Sequence, residues 1–144
     1  MDGITCRLLP YAVADGPHNM AADETLLHSA IEGTASLRFY GWSPPTLSLG
    51  YFQHESVRRA DPLLAELPFV RRPSGGHTLV HHHEVTYALA LPPGQPWQIL
   101  SVPWLRRMHE IVAVTLNALG VRAKLFNPLA KSSVTSVLCF HRFT

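Results

Sequence analysis

Arg71-Arg72-Pro73-Ser74-Gly75-Gly76-His77-Thr78-Leu79-Val80-His81 is the stretch around which this sequence organises itself. Two adjacent glycines let the main chain come close to a ligand and turn its amides toward it. Phe69-Val70 precedes the stretch and Leu79-Val80 lies within it, so the glycines mark a turn between two strands. Arginine beside such a loop supplies planar donors suited to a carboxylate or a phosphate. A Gly-Gly pair alone is equally the turn of an ordinary hairpin with exposed arginines. Its meaning depends on its surroundings.

Upstream, Leu37-Arg38-Phe39-Tyr40 alternates as a strand does, and Leu47-Ser48-Leu49-Gly50-Tyr51 does so again after the Pro44-Pro45 corner. Before these, Asn19 is placed to cap a helix running from Met20 to Ile31, with Met20, Leu27 and Ile31 on one stripe. Asp23 and Glu24 suit its positive end, and Gly33 can stop it. Downstream, Thr78-Leu79-Val80 and Val85 to Leu91 read as strands, and Pro92, Pro93, Gly94 and Pro96 break the chain. A second helix is expected from near Ser101, with Pro103 in its first turn and Gly120 at its end. Leu105, Met108, Ile111, Val112, Thr115, Leu116 and Leu119 form its apolar stripe. Val121 to Phe126 and Thr135 to Phe140 read as later strands. This order predicts an α+β fold with a mainly antiparallel sheet, residues 1–144 forming a single domain.

Bulk properties narrow the function. The chain has 144 residues, 47% hydrophobic and 15% charged, which describes a globular domain rather than a disordered chain. A formal net charge of +2 is too small for a dedicated nucleic-acid binder, which must neutralise several phosphates. The doublets Arg58-Arg59, Arg71-Arg72 and Arg106-Arg107 are scattered, as on solvated faces. No apolar run approaches the roughly 20 residues that cross a bilayer, and the N-terminus lacks the pattern of a signal peptide. A soluble, cytoplasmic protein without nucleic-acid or membrane partners is expected. Cys6 and Cys139 fit that compartment without a disulfide, Cys6 as a packing residue.

The surroundings give the glycine stretch its meaning. Arg71 to His81 resembles the Arg-Arg-x-Ser-Gly-Gly-Gly-x-x-x-His motif of the lipoate–protein ligase and octanoyltransferase family. Asn19-Met20-Ala21-Ala22-Asp23-Glu24 resembles that family's first helix. Trp42-Ser43-Pro44-Pro45-Thr46-Leu47-Ser48-Leu49-Gly50-Tyr51-Phe52-Gln53 is similar to its Trp-x-x-Pro-x-x-x-x-Gly-x-x-Gln segment. The resemblance implies the fold shared with biotin–protein ligases, a mixed sheet flanked by helices. It also implies that the glycine loop binds an acyl chain or, in the ATP-using ligases, an acyl adenylate. Arg72, Ser74, Gly75, Gly76 and His81 match the motif as substrate-binding residues. His77 stands where ligases carry a third glycine, and a side chain there crowds a backbone approach to phosphate.

Val137-Leu138-Cys139-Phe140 is similar to the Cys-Phe pair of the octanoyltransferase branch, where the cysteine forms an acyl thioester. A lone cysteine is more often a buried, inert packing residue, so only the resemblance singles out Cys139 as the catalytic nucleophile. The family places a lysine shortly after it, whereas this sequence runs out at His141-Arg142-Phe143-Thr144, and Lys124 and Lys131 match nothing. The expectation is an incomplete catalytic domain with an unpaired sheet edge beside Val134 to Phe140. His81-His82-His83 invites a metal, but on a strand His82 points away from its neighbours and Glu84 points opposite His83, so no metal site is expected. The activity implied is transfer of an octanoyl group from acyl carrier protein to a lipoyl-domain lysine, without a cofactor. The runner-up is an ATP-dependent lipoate–protein ligase using Mg²⁺, and the rival from another class is a noncatalytic acyl-binding fragment.

Overall fold

In the computed structural model, which describes residues 5–94 and 104–125, the chain runs β1 (Cys6–Leu8), β2 (Ala12–Ala14), α1 (Gly16–Ile31), β3 (Ala35–Trp42) and β4 (Thr46–Leu49). There follow α2 (Ser56–Arg59), α3 (Pro62–Ala65), β5 (Phe69–Arg71), β6 (Leu79–His81), β7 (Thr86–Ala90) and α4 (Trp104–Ala118). The described residues divide into a unit up to Pro93 and another from Gly94 onward.

The first unit holds two sheets. In one, Ser36 and Tyr40 of β3 pair on one side with β1 and β2 in turn and on the other with β7. In the other, β4 lies between a parallel β5 and an antiparallel β6. The expected α+β class holds, with mixed sheets and α1 packed on β3, β5 and β7. The expected predominance of antiparallel pairing does not: three of the five ladders among the described strands are parallel. Parallel neighbours need a long crossover, and α1 supplies it between β2 and β3, as the α2–α3 segment does between β4 and β5. Strands β1 and β2, at three residues each, are too short to show alternation in sequence.

Helix α1 begins earlier than expected. Asp15 caps it, its carboxylate accepting from the His18 amide at 2.9 Å, and Pro17 occupies the first turn, where its missing N–H costs nothing. Asn19 is therefore inside the helix and buried, donating to the carbonyls of Ala14 and Gly41 and accepting from Arg38. The buried face runs through Asn19, Leu26 and Ala30, while Leu27 and Ile31 are exposed. Asp23 also turns inward, bonded by the Tyr40 hydroxyl at 2.8 Å and paired with Arg38 at 3.4 Å. Gly33, at φ +97°, ends the helix as expected.

Four consecutive residues of β4 are buried. Leu47 and Leu49 join Leu64, Leu67 and Val80 in one cluster, and a second cluster gathers Tyr40, Trp42 and Val70 with Met20 and Ala88. In the second unit α4 closes on Gly120 at φ +81°, with the Val121 amide donating to the Leu116 carbonyl. Met108 is buried, but Leu105, Ile111 and Leu119 of the expected stripe are exposed. Residues 121–125 form no strand, contrary to expectation. Residues 134–140, and with them Cys139, lie outside the described residues.

Candidate functional site

Strand register assembles the centre of the site. Thr46 pairs with His81 and Ser48 with Val70, so Ser48, Val70 and His81 project from the same face of the second sheet. Arg72, two residues beyond Val70, continues on that face. Its Nη1 donates to the Ser48 carbonyl at 2.9 Å and to Ser48 Oγ at 2.6 Å. Its Nη2 donates to the carbonyls of His77 at 2.7 Å and Gly75 at 3.3 Å. Arg72 thus spans the mouth of the loop from residue 73 to residue 78 and draws two of its carbonyls inward.

The loop rests on the turn after β4. Tyr51 donates its amide to the Ser74 carbonyl at 2.9 Å, and Gly50 lies so close that an added Cβ would meet the Gly76 carbonyl oxygen at 2.0 Å. Gly76 itself has φ +98°, a left-handed conformation, whereas Gly75 has no positive φ and open space about it. Gln53 Oε1 accepts from the Gly50 amide and from Thr78 Oγ1, and Arg71 Nη1 donates to the carbonyls of Gly50, Tyr51 and Gln53. The three glycines and Gln53 of the quoted segments therefore meet in one place. Beside them Tyr51 and Phe52 pack edge to face and stay exposed.

His81 is buried beneath this loop, its ring stacked on Trp42 at 3.9 Å between centroids and 11° from parallel. Its Nε2 lies 2.6 Å from Ser48 Oγ and its Nδ1 2.5 Å from Glu84 Oε1. The chain bends straight after His81, which swings Glu84 back to the ring; the expectation that strand geometry would send Glu84 away fails because β6 ends there. The His82 amide and Thr86 Oγ1 also donate to Glu84, and Trp42 Nε1 donates to Thr86 Oγ1.

The carboxylate and the guanidinium fix the protons. Glu84 can only accept, so Nδ1 of the neutral His81 ring carries the hydrogen and Nε2 is left to accept from Ser48 Oγ, which itself accepts from Arg72. Burial pushes the His81 pKa below its ordinary value, with Arg72 acting the same way and Glu84 opposing. Burial raises the Glu84 carboxyl, but the His82 amide and the His81 ring outweigh that and hold it below its usual range.

Of the expected site residues, Arg72, Ser74, Gly75, Gly76, His77 and His81 all lie in or under this loop. Cys6, expected to pack, is instead exposed on β1. Ser48 and Glu84 were not singled out, and no local signal marks either, since only the burial of both faces of β4 and the bend after His81 set them apart. His82 and His83 stack on each other at the surface. Among the described residues no three His, Cys, Asp or Glu side chains converge as metal ligands.

Comparison with known proteins gives a consistent result. Residues 15–134 match the family model described as the lipoyl protein ligase A/B catalytic domain. The octanoyltransferase LipM of Moorella thermoacetica is 36% identical over 152 residues, covering 97% of this chain and 54% of that protein. That of Carboxydothermus hydrogenoformans is 44% identical over 143 residues, covering 94% and 52%. Lipoate-protein ligase A bound with ATP shares the fold, with a TM-score of 0.65, 22% identity, and coverage of 94% of this chain and 55% of that one. Protein Ta0514 of T. acidophilum does so at a TM-score of 0.68 and 24% identity, covering 94% and 56%. The chain spans about half the length of the curated relatives it matches.

Proposed function

This chain belongs to the family of lipoyl protein ligase A/B catalytic domains, and from that membership we propose that it serves octanoyl transfer in lipoate assembly. The observation that carries this reading is its identity, over nearly its whole length, to proteins named octanoyltransferase. The donor is an octanoyl thioester of acyl carrier protein, the acceptor a lipoyl-domain lysine, and the setting the cytoplasm. The glycine loop from Arg72 to His77, with His81 beneath it, shapes the acyl site.

The local geometry favours an acyl chain over a nucleotide. Both Nη nitrogens of Arg72 face protein oxygens, and His77 adds a side chain where a phosphate would need bare backbone. The exposed rings of Tyr51 and Phe52 give the loop an apolar flank. Cys139 is the proposed nucleophile. Its thiolate attacks the octanoyl carbonyl, the carbon–sulfur bond to the carrier breaks, and the carrier thiolate leaves. The lysine amine then attacks the Cys139 thioester, an amide bond forms, the second carbon–sulfur bond breaks, and the amine proton returns to the thiolate. No ATP enters.

Incubation with octanoyl–acyl carrier protein followed by mass spectrometry tests this. The expected product is an octanoyl adduct on Cys139 that Cys139→Ser abolishes. Turnover of free octanoate that requires ATP would replace this reading with a ligase, and neither product would leave a noncatalytic acyl binder.

A further inference from the structure

We propose that Glu84 is a positioning residue for the glycine loop, acting through the His81 ring and the Ser48 hydroxyl on the guanidinium of Arg72. The inference deepens the proposed function, since it rests on that loop being the acyl site. Four contacts form one chain: Glu84 Oε1 to His81 Nδ1 at 2.5 Å, His81 Nε2 to Ser48 Oγ at 2.6 Å, Ser48 Oγ to Arg72 Nη1 at 2.6 Å, and Arg72 Nη2 to the His77 carbonyl at 2.7 Å.

In the first three every hydrogen points the same way, from the arginine cation toward the carboxylate, and the fourth runs from the same guanidinium to the loop. Such a chain has one consistent arrangement. With the carboxylate in place, Nδ1 keeps its hydrogen and Nε2 stays an acceptor, so Ser48 has a destination for its hydrogen and a lone pair for Arg72. Without it, the ring is free to carry its hydrogen on Nε2. Ser48 Oγ would then face two donors, its own hydrogen would lose His81 as an acceptor, and its hold on Arg72 would weaken.

The geometry limits other readings. Ser48 is fully buried and its oxygen is already met by Arg72 and His81, so it is no nucleophile despite the resemblance to a serine–histidine–carboxylate relay. Glu84 is anchored independently by the His82 amide at 2.7 Å, and the ring is held against Trp42. Both can therefore impose a direction on the chain rather than follow it.

The test compares wild type with Glu84→Ala, Glu84→Gln, Ser48→Ala and the double variant S48A/E84A. Nitrogen NMR of the His81 ring reads the tautomer, and hydrogen exchange reads the amides of residues 74–78. Wild type is expected to show the Nδ1–H form. Glu84→Ala is expected to lose it and to raise exchange in the loop about tenfold, and Glu84→Gln, which keeps an acceptor, to restore most of both. Because the two residues act in series, S48A/E84A should raise exchange no further than Ser48→Ala does. An unchanged tautomer and unchanged loop protection in Glu84→Ala would overturn the inference, as would additive effects in the double variant. Should Glu84→Ala fail to fold, Glu84→Gln and Ser48→Ala still decide it: wild-type loop protection in Ser48→Ala overturns it. Octanoyl transfer, followed in parallel, separates the two readings. Its absence from wild type with the exchange results intact would sink the proposed activity and leave the positioning role standing.

Discussion

A proton added to His81 would give Nε2 a hydrogen to donate, and Ser48 Oγ would receive two donors with nowhere to send its own. The ionisable groups acting on the ring are Glu84 and Arg72, and the net direction is downward, burial being the largest cause. The unfolded chain therefore takes up this proton more readily. His81's contribution to stability is complete above pH of about 6.5 and erodes as pH falls from there toward the folded pKa. Urea denaturation across that window should show stability rising with pH, and His81→Gln should flatten the rise. Equal slopes in the two proteins would rule this out. The glycines divide as sharply. Gly50→Ala drives a methyl into the Gly76 carbonyl, and Gly76→Ala forces a side chain into φ +98°, so each should cost about 1–3 kcal/mol. Gly75→Ala, in open space, should stay within about 0.5 kcal/mol. Chemical denaturation of the three variants checks the order, and a costly Gly75→Ala would show that the open space is not there in solution.

Helix α1 was legible as a helix but misread in its details, and the reason is physical. Asn19 is a good capping residue, yet Asp15 with Pro17 behind it is a better start, and a capping position cannot be told from a buried polar one without knowing what lies opposite. Opposite Asn19 stand the Arg38 guanidinium and the Gly41 carbonyl. Asn19→Ala should therefore cost about 1–3 kcal/mol, since it leaves a buried arginine donor and two carbonyls short of a partner. A loss under about 0.5 kcal/mol in thermal melts would return Asn19 to an ordinary surface role. Strand β4 shows the converse. Its alternation was readable, but that its polar residues are buried too was not, because Trp42 and α1 cover the second face from elsewhere in the chain.

Trp42 joins the two sheets of the first unit. It belongs to β3, stacks on His81 of β6, packs with Val70 of β5, and donates to Thr86 of β7. Trp42→Ala should cost about 3–5 kcal/mol and release the His81 ring, whereas Trp42→Phe should keep the stack and lose only the Thr86 bond. Denaturation read by the His81 ring signals would check both, and a wild-type ring environment in Trp42→Ala would refute the link. Residue pattern alone was enough for the α+β class and for the loop around Gly75 and Gly76, and the resemblance of three short motifs was enough for the family, because periodicity and short motifs are local properties of the chain. The sheet pairing, Gly50 as the seat of the loop, and the partnership of Glu84, His81, Ser48 and Arg72 were decided only in three dimensions. These depend on strand register and on where a bend returns a side chain, and neither is written within any one stretch of residues.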